Sequence, residues 1–345
     1  MSRHINIPIF IPHLGCPNMC VFCNQRTICG RNEFRAESIR EDIEAVLSTI
    51  EPTDECEVAF FGGSFTGIER SLMISLLDIA EEYVNLGKIQ SIRLSTRPDY
   101  INDEIISILK KYSVRTVELG LQSAKDDVLL KSKRGHTFAD ELSACKLLVE
   151  AGFDLVGQMM IGLPSSTLEK EMETAEFIAS VGAGYARIYP TVVFRDTELY
   201  EMCRSDEYSA LTLDDAIERS ASVYEFFLSR GIKVIRVGLC ASENLSSEDK
   251  YYSGPNHSAL GELVEGRVML NRILAGIYAL PNIPTDYLKI LVSRGFLSRA
   301  IGQKRVNKEY IKNKFNIKRV IISESENLSD FQIKILAEED EGICT

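Results

Sequence analysis

The sequence predicts an α/β protein built on parallel strands, and three observations carry that prediction. Short apolar runs of strand length alternate with helix-spaced patterns from residue 5 to residue 189. The alternation delivers six strands, each separated from the next by room for one crossover helix, which implies parallel pairing through right-handed connections. Every unusual loop follows a strand, so these loops would share one rim, where parallel barrels carry their chemistry.

The elements follow in order. The run 5–11 reads as the first strand, and Pro8 inside it argues for an edge position. Residues 35–50 place Ile39, Ile43, Val46, Leu47 and Ile50 at helical spacing, with Pro52 as the stop. A buried strand at 56–61 runs into Gly62, Gly63 and Ser64, and a helix at 70–86 stops at Gly87. The strand 91–95 leads into Thr96, Arg97, Pro98 and Asp99, followed by a helix at 103–112. The strand 114–121 ends in Gln122 and Ser123. Helix 139–150, strand 155–161, helix 168–181 and strand 185–189 continue the series, the last closed by Pro190. Beyond it a helix at 213–228, a strand at 232–237 and a loop passing into helix at 256–265 are legible. From about residue 281 only short elements show, among them a strand at 319–323. The expected organisation is a strand–helix region at 1–265 and a C-terminal extension at 266–345 that covers the barrel or forms a small appendage.

Composition narrows the function classes. A net charge of −11 argues against a broad polyanion-binding surface, because phosphate contacts need Lys and Arg. The one basic stretch, 304–319, reads as a solvated helix face. There is no run of about 20 apolar residues and no signal-peptide pattern. Nine cysteines without framework spacing suit reduced thiols. A cytoplasmic protein with no membrane partner is expected.

Cys16, Cys20 and Cys23 stand at spacing C-x3-C-x2-C directly after the first strand. Three thiolates folded toward one point are soft ligands for zinc or an iron–sulfur cluster. Closed structural zinc sites and ferredoxin clusters want four ligands. With three, a [4Fe–4S] cluster keeps one iron open, whereas a zinc loop would need His13 or Cys29 to complete it. The motif, with Phe22 before the last cysteine, resembles the signature of the radical S-adenosylmethionine (SAM) superfamily. That resemblance implies a partial (β/α)6 barrel, a [4Fe–4S] cluster on Cys16, Cys20 and Cys23, SAM chelated at the open iron, and its one-electron cleavage to a 5′-deoxyadenosyl radical. It also implies an external electron donor such as flavodoxin or ferredoxin.

Further motifs fit the same resemblance. Gly62, Gly63 and Ser64 are similar to the family's glycine motif at the SAM amino group, where glycine lets main chain approach a ligand. Ser95 and Arg97 stand where the family contacts the ribose side of SAM, although Arg97-Pro98-Asp99 is also plain turn chemistry. Gln122 ends the fourth strand, with Glu118 on the same inward parity. Arg134 is a candidate clamp for the SAM carboxylate, and the neighbouring His136 reads as a surface residue. Gln158 and Met160 belong to the stretch that resembles the adenine-receiving strand, with core packing an equal reading for Met159 and Met160.

Stretches around 186–199, 236–239 and 252–264 look like the elongator-catalytic-subunit branch. Two departures matter. Only about 80 residues follow Arg267, too few for that branch's acetyltransferase domain, and the first strand begins at residue 5, which leaves no room for its tRNA-binding extension. The resemblance therefore implies a stand-alone member acting on a small, nucleobase-like molecule, with tRNA not expected as a partner. Such a member is similar to a lyase that cuts the free base queuine to 7-aminomethyl-7-deazaguanine in queuosine salvage. Pocket candidates for that substrate are Glu118, Tyr189, Arg195, Glu198, Glu243, Asn256, His257 and Glu262. The alternatives are a radical SAM enzyme acting on tRNA or another metabolite, and a non-catalytic iron–sulfur or zinc module. The other cysteines read as plain thiols.

Overall fold

The computed structural model describes residues 4–11, 14–16, 20–24, 38–51, 54–239 and 249–336. The start of the expected helix at 35–37, together with His13, Cys29, Pro52, Cys240, Glu243 and Cys344, lies outside the described residues.

The strand–helix alternation folds as its spacing predicts. Strands β1 (His4–Ile11), β2 (Glu55–Gly62), β3 (Ser91–Thr96), β4 (Val114–Gln122), β5 (Asp154–Ile161) and β6 (Tyr185–Pro190) pair in chain order, all parallel. The strand expected at 232–237 joins them: it pairs parallel to β6, so the curled partial barrel has seven strands rather than six. β1 is an edge strand, as Pro8 required.

Between the strands run α1 (Ile39–Leu47), α2 (Arg70–Asn85), α3 (Asp103–Leu109), the short α4 (Asp126–Lys131), α5 (Phe138–Glu150) and α6 (Leu168–Ser180). Local chemistry fixes their starts. Asn102, Thr137 and Thr167 accept backbone amides of the first turns of α3, α5 and α6, and at Thr137 the Asp140 carboxylate reciprocates in a capping box. Each strand sends one parity outward to the helices. On β1, Ile7, Ile9 and Ile11 are fully buried on that side, while Asn6, Pro8 and Phe10 point the other way and are more accessible.

After β6 come the short strand β7 (Val193–Phe194), α7 (Glu198–Arg204) and α8 (Leu213–Ser229), then β8 (Lys233–Val237) and β9 (Tyr251–Ser253), which pairs antiparallel with β7. The chain divides into two compact units. The first holds residues 1–216 and 226–258; the second holds 217–225 and 259–345.

The second unit is a small sheet of its own. Long helix α9 (Leu260–Tyr278) buries Val264, Val268, Ile273 and Ile277. Strand β10 (Tyr287–Ser293) lies between parallel β11 (Arg319–Ser325) and antiparallel β12 (Ile333–Leu336), and α10 (Leu297–Ile301) and α11 (Val306–Lys314) connect them. Arg272 of α9 grips Glu225 at 2.7 and 2.9 Å. The basic stretch is a solvated face here, with Lys304, Lys312, Lys314 and Lys318 exposed. No helix among the described residues is long and apolar enough to cross a membrane.

Candidate functional site

Inward parity on the strands of the first unit lines an open cavity of about 480 Å³. Asn6, Pro8 and Phe10 of β1 and Phe61 of β2 form one wall. Ser95, Glu118, Gln158, Met160, Arg187 and Tyr189 of β3 to β6 form the opposite one. At the strands' C-terminal ends, Cys16, Phe22, Cys23, Gly62, Gly63, Arg97, Gln122 and Arg134 complete it. The volume is that of a small-molecule or cofactor site.

The cysteine loop is held by backbone on both flanks. Val21 N donates to the Ser132 carbonyl at 3.2 Å, Leu199 N to the Val21 carbonyl at 2.8 Å, and Cys23 N to the Cys20 carbonyl at 2.9 Å. Phe22 packs into an apolar cluster with Val128, Met160, Leu163 and Tyr189. The glycine turn after β2 locks onto the same loop: Gly63 N donates to the Ile11 carbonyl at 2.8 Å and Ser64 N to the Leu14 carbonyl at 3.1 Å. A Cβ on Gly63 would stand 2.0 Å from the Leu14 carbonyl oxygen, so only glycine permits this approach.

Two arginines frame the thiols. Arg97 is 4% exposed and its Nε and Nη2 donate to the two Asp99 oxygens at 2.9 Å each, a fork-to-fork pair. Its Nη2 also donates to the Arg134 carbonyl at 2.6 Å. Arg134 donates from Nη2 to the Gly120 carbonyl at 2.6 Å and from Nη1 to Cys20 Sγ at 3.2 Å. Arg97 Nη1 and Arg134 Nε are buried donors without a hydrogen-bond acceptor. Burial pushes the Cys16 thiol up, and the two guanidiniums pull against it.

Deeper in the cavity the charges are paired. Arg187 Nε meets Glu118 Oε2 at 3.0 Å, and Arg187 Nη1 donates to the Tyr189 hydroxyl at 3.0 Å. Burial raises the pKa of Glu118, opposed by Arg187 and Arg93, and burial likewise raises that of Tyr189. Gln122 ends β4 at φ +74°, beside a register shift against β5, and accepts from Gln158 Nε2 at 3.3 Å. A non-glycine residue in that conformation marks local strain.

Of the cofactor candidates, Phe22, Gly62, Gly63, Ser95, Arg97, Gln122, Arg134, Gln158 and Met160 line the cavity with Cys16 and Cys23. Ser64 does not: fully buried, its hydroxyl bonds Thr96 Oγ1 at 2.8 Å and accepts from Arg97 N at 3.2 Å, which makes it a strut beneath the turn. Of the substrate candidates among the described residues, only Glu118 and Tyr189 line it. Glu198 pairs with Lys133 at the surface, and Arg195 packs against the rings of Tyr200 and Tyr252. Asn256 and His257 are not among the lining residues, and Glu262 belongs to the second unit. The surface reading of His136 is corrected. Its side chain is fully buried and bonds the equally buried Glu141 at 3.0 Å. Cys56 and Cys145 are buried free thiols, and burial pushes Cys145 up to about 12.

Sequence reasoning passed over Asn6, Phe10, Phe61, Arg187 and Arg236. The signal was available: Arg187 stands two before Tyr189, on the same parity, and Arg236 is the register partner of Arg187. Among the described residues no three His, Cys, Asp or Glu side chains converge on a single metal ion. A cubane asks for something else, three thiolates each bonded to a different iron with the open corner facing a ligand cavity. A loop with three thiols, two of them on the cavity, matches that donor set.

Comparison with known proteins agrees with this geometry. Residues 10–178 match the radical SAM superfamily model, and residues 184–269 match the radical SAM C-terminal domain. A tRNA uridine(34) acetyltransferase of Methanocaldococcus infernus is 30% identical over 199 residues, covering 52% of this chain and 37% of that protein. Elongator complex protein 3 of Homo sapiens is 33% identical over 142 residues, covering 40% and 26%. The chain thus spans well under half the length of these relatives. Since the first of them is named for tRNA, the expectation against tRNA as a partner finds no support. In fold, the chain matches the archaeal Methanocaldococcus infernus Elp3 lacking residues 1–46, with TM-score 0.63 and 23% identity over 79% of this chain and 64% of that one. Streptococcus suis SuiB follows at TM-score 0.51 and 15% identity, over 71% and 51%.

Proposed function

The chain belongs to the radical SAM superfamily, whose members are enzymes that bind a [4Fe–4S] cluster and SAM, and we propose that its own reaction is radical-initiated cleavage of a small nucleobase-like molecule held in the barrel cavity. The single observation that carries this reading is a three-thiol loop with two of its thiols on a cavity of about 480 Å³ that also has charged and polar groups on its walls. In the finer form, the substrate is free queuine and the product 7-aminomethyl-7-deazaguanine.

Cys16, Cys20 and Cys23 would hold the cluster. When bound, the cluster and SAM supply reductive cleavage of SAM to a 5′-deoxyadenosyl radical. Carbonyl oxygens of the Gly62-Gly63 turn suit the ammonium of SAM, and the buried donors Arg97 Nη1 and Arg134 Nε suit its carboxylate. Phe22 and Met160 exclude water from one side of the cavity. Glu118, with Arg187 fixing its orientation at 3.0 Å, offers an acceptor to N–H groups of a heterocycle, and the Tyr189 hydroxyl can donate or accept beside it. We read residues 1–265 as the catalytic region and 266–345 as an extension, in a reducing compartment that protects the thiols.

A second reading, modification of a nucleotide in tRNA, is favoured by the match to tRNA uridine(34) acetyltransferases. A non-catalytic zinc module would not require the cavity. Anaerobic reconstitution with SAM, a low-potential reductant and queuine, followed by mass spectrometry, separates these readings. The lyase predicts 7-aminomethyl-7-deazaguanine together with 5′-deoxyadenosine, both falling to background in Cys20→Ala. Deoxyadenosine formed at one slow rate with or without queuine, and stimulated by tRNA, would replace the lyase by the second reading. Zinc in place of iron would remove both.

A further inference from the structure

The Arg134 guanidinium is aimed at the one thiol of the loop that does not face the cavity. Cys20 is 8% exposed, whereas Cys16 and Cys23 line the cavity. Arg134 Nη1 donates to Cys20 Sγ at 3.2 Å while Nη2 is tied to the Gly120 carbonyl at 2.6 Å. Its own carbonyl is held at 2.6 Å by Arg97, and Arg97 by both oxygens of Asp99. Gly120 makes room for the arrangement: a Cβ there would stand 2.9 Å from Gln122 Nε2 and 3.4 Å from Arg134 Nη2. The donor is therefore fixed before any ligand arrives.

We infer that Arg134 is a positioning residue that sets the reduction potential of the cluster, resting on the reading of Cys16, Cys20 and Cys23 as its ligands. Reduction adds one electron from an external donor of the flavodoxin or ferredoxin class, breaks no bond, and places more negative charge on the thiolate sulfurs. A cationic N–H donor fixed on one of those sulfurs stabilises the reduced state more than the oxidised one, and burial keeps water from screening it. The consequence is a cluster that such a donor can reduce more readily. This differs from clamping the SAM carboxylate, which would alter SAM affinity and leave the potential of the SAM-free protein untouched.

The test is a potentiometric titration of the reconstituted full chain without SAM, read by electron paramagnetic resonance. At the potential where the wild type is half reduced, Arg134→Gln is expected to show a reduced-to-oxidised ratio about tenfold lower, a shift of about 59 mV for one electron. Arg134→Lys keeps the charge without the fork, should fall between the two, and carries the test if Arg134→Gln takes up no iron. Arg115→Gln, which removes an exposed cation, should titrate with the wild type. Arg134 variants within twofold of the wild type overturn the inference, as does a loss of SAM affinity with no change in potential. Failure of the wild type itself to take up about four irons would overturn the reading of the cysteine loop, and this inference with it.

Discussion

Two buried charge networks share the first unit, and they are finished to different degrees. The one in the strand interiors is matched. Glu57 bonds His4 at 3.1 Å and Ser91 at 3.3 Å and forms an ion pair with Arg93 Nε at 3.1 Å, and Glu118 forms one with Arg187 Nε at 3.0 Å, so two carboxylates meet two guanidiniums. The one past the strand ends is not. Arg97 takes the carboxylate of Asp99, while the bonds of Arg134 go to the Gly120 carbonyl and the Cys20 thiol, and Arg97 also donates to the Arg134 carbonyl. Buried cations without matching anions are costly unless something else supplies the charge. In the first network each guanidinium has a carboxylate beside it; in the second, Arg97 has one and no ion pair among the described residues includes Arg134.

The largest effect should come from breaking the matched network. Arg93→Met leaves Glu57 buried with only His4 and Ser91, and is expected to cost about 3 kcal/mol in a urea denaturation series. Arg97→Met sharpens the contrast. Asp99 is 24% exposed and can be rehydrated, so the expected loss is about 1–2 kcal/mol, while SAM affinity of the reconstituted protein falls at least tenfold by equilibrium binding. Equal losses of stability in the two variants, with SAM affinity intact, would erase the distinction.

The His136–Glu141 pair beneath Arg134 gives a pH test. Burial, with Arg134 and Arg97 adding to it, pushes His136 down to about 3, and burial holds Glu141 well above its usual range. Just above pH 4.5, where the raised carboxyl of Glu141 keeps its proton in the folded state and an ordinary one loses it, the folded pair carries one proton, on Glu141, and the unfolded pair also carries one, on His136. The two contributions cancel, so the pair leaves stability flat there. Glu141→Gln removes the folded-state proton, so the unfolded state binds more. Relative to wild type, its stability should fall by about 1.4 kcal/mol for each unit of acidification. His136→Asn should do the reverse, losing stability as pH rises. Parallel pH profiles for all three proteins would show that the pair is not the neutral unit described. The smallest effect belongs to Thr137→Ala, which removes the capping box that starts α5, the helix carrying Glu141. About 1 kcal/mol of stability should be lost, with no change in SAM binding.

The barrel was legible because its signal is repetitive: six apolar runs at crossover pitch leave few other topologies, and Pro8 marks the edge. The cysteine loop was legible because ligand spacing is local. The charge networks were not, since Arg93, Glu118 and Arg187 are far apart in the chain and meet only through the register of four strands. The substrate candidates fared worst for a similar reason. Arg195 and Glu198 belong to a strand-end segment, as cavity residues do, yet Arg195 turns to aromatic neighbours and Glu198 to Lys133 at the surface. His136 was misplaced because Arg-Gly-His-Thr has the composition of a turn, and nothing local announces Glu141 waiting five residues on. Strand β10 escaped notice in a tail whose patterns are short.

The position of Pro8 carries a consequence for what can approach the barrel. It is exposed, lines the cavity, and sits midway along an edge strand. An extended peptide docking there by strand addition would need regularly spaced main-chain donors, and proline interrupts them. That edge is therefore a poor template for recruiting a polypeptide as an eighth strand. Whatever enters along it is selected by the side chains of Asn6, Pro8 and Phe10 rather than by backbone pairing.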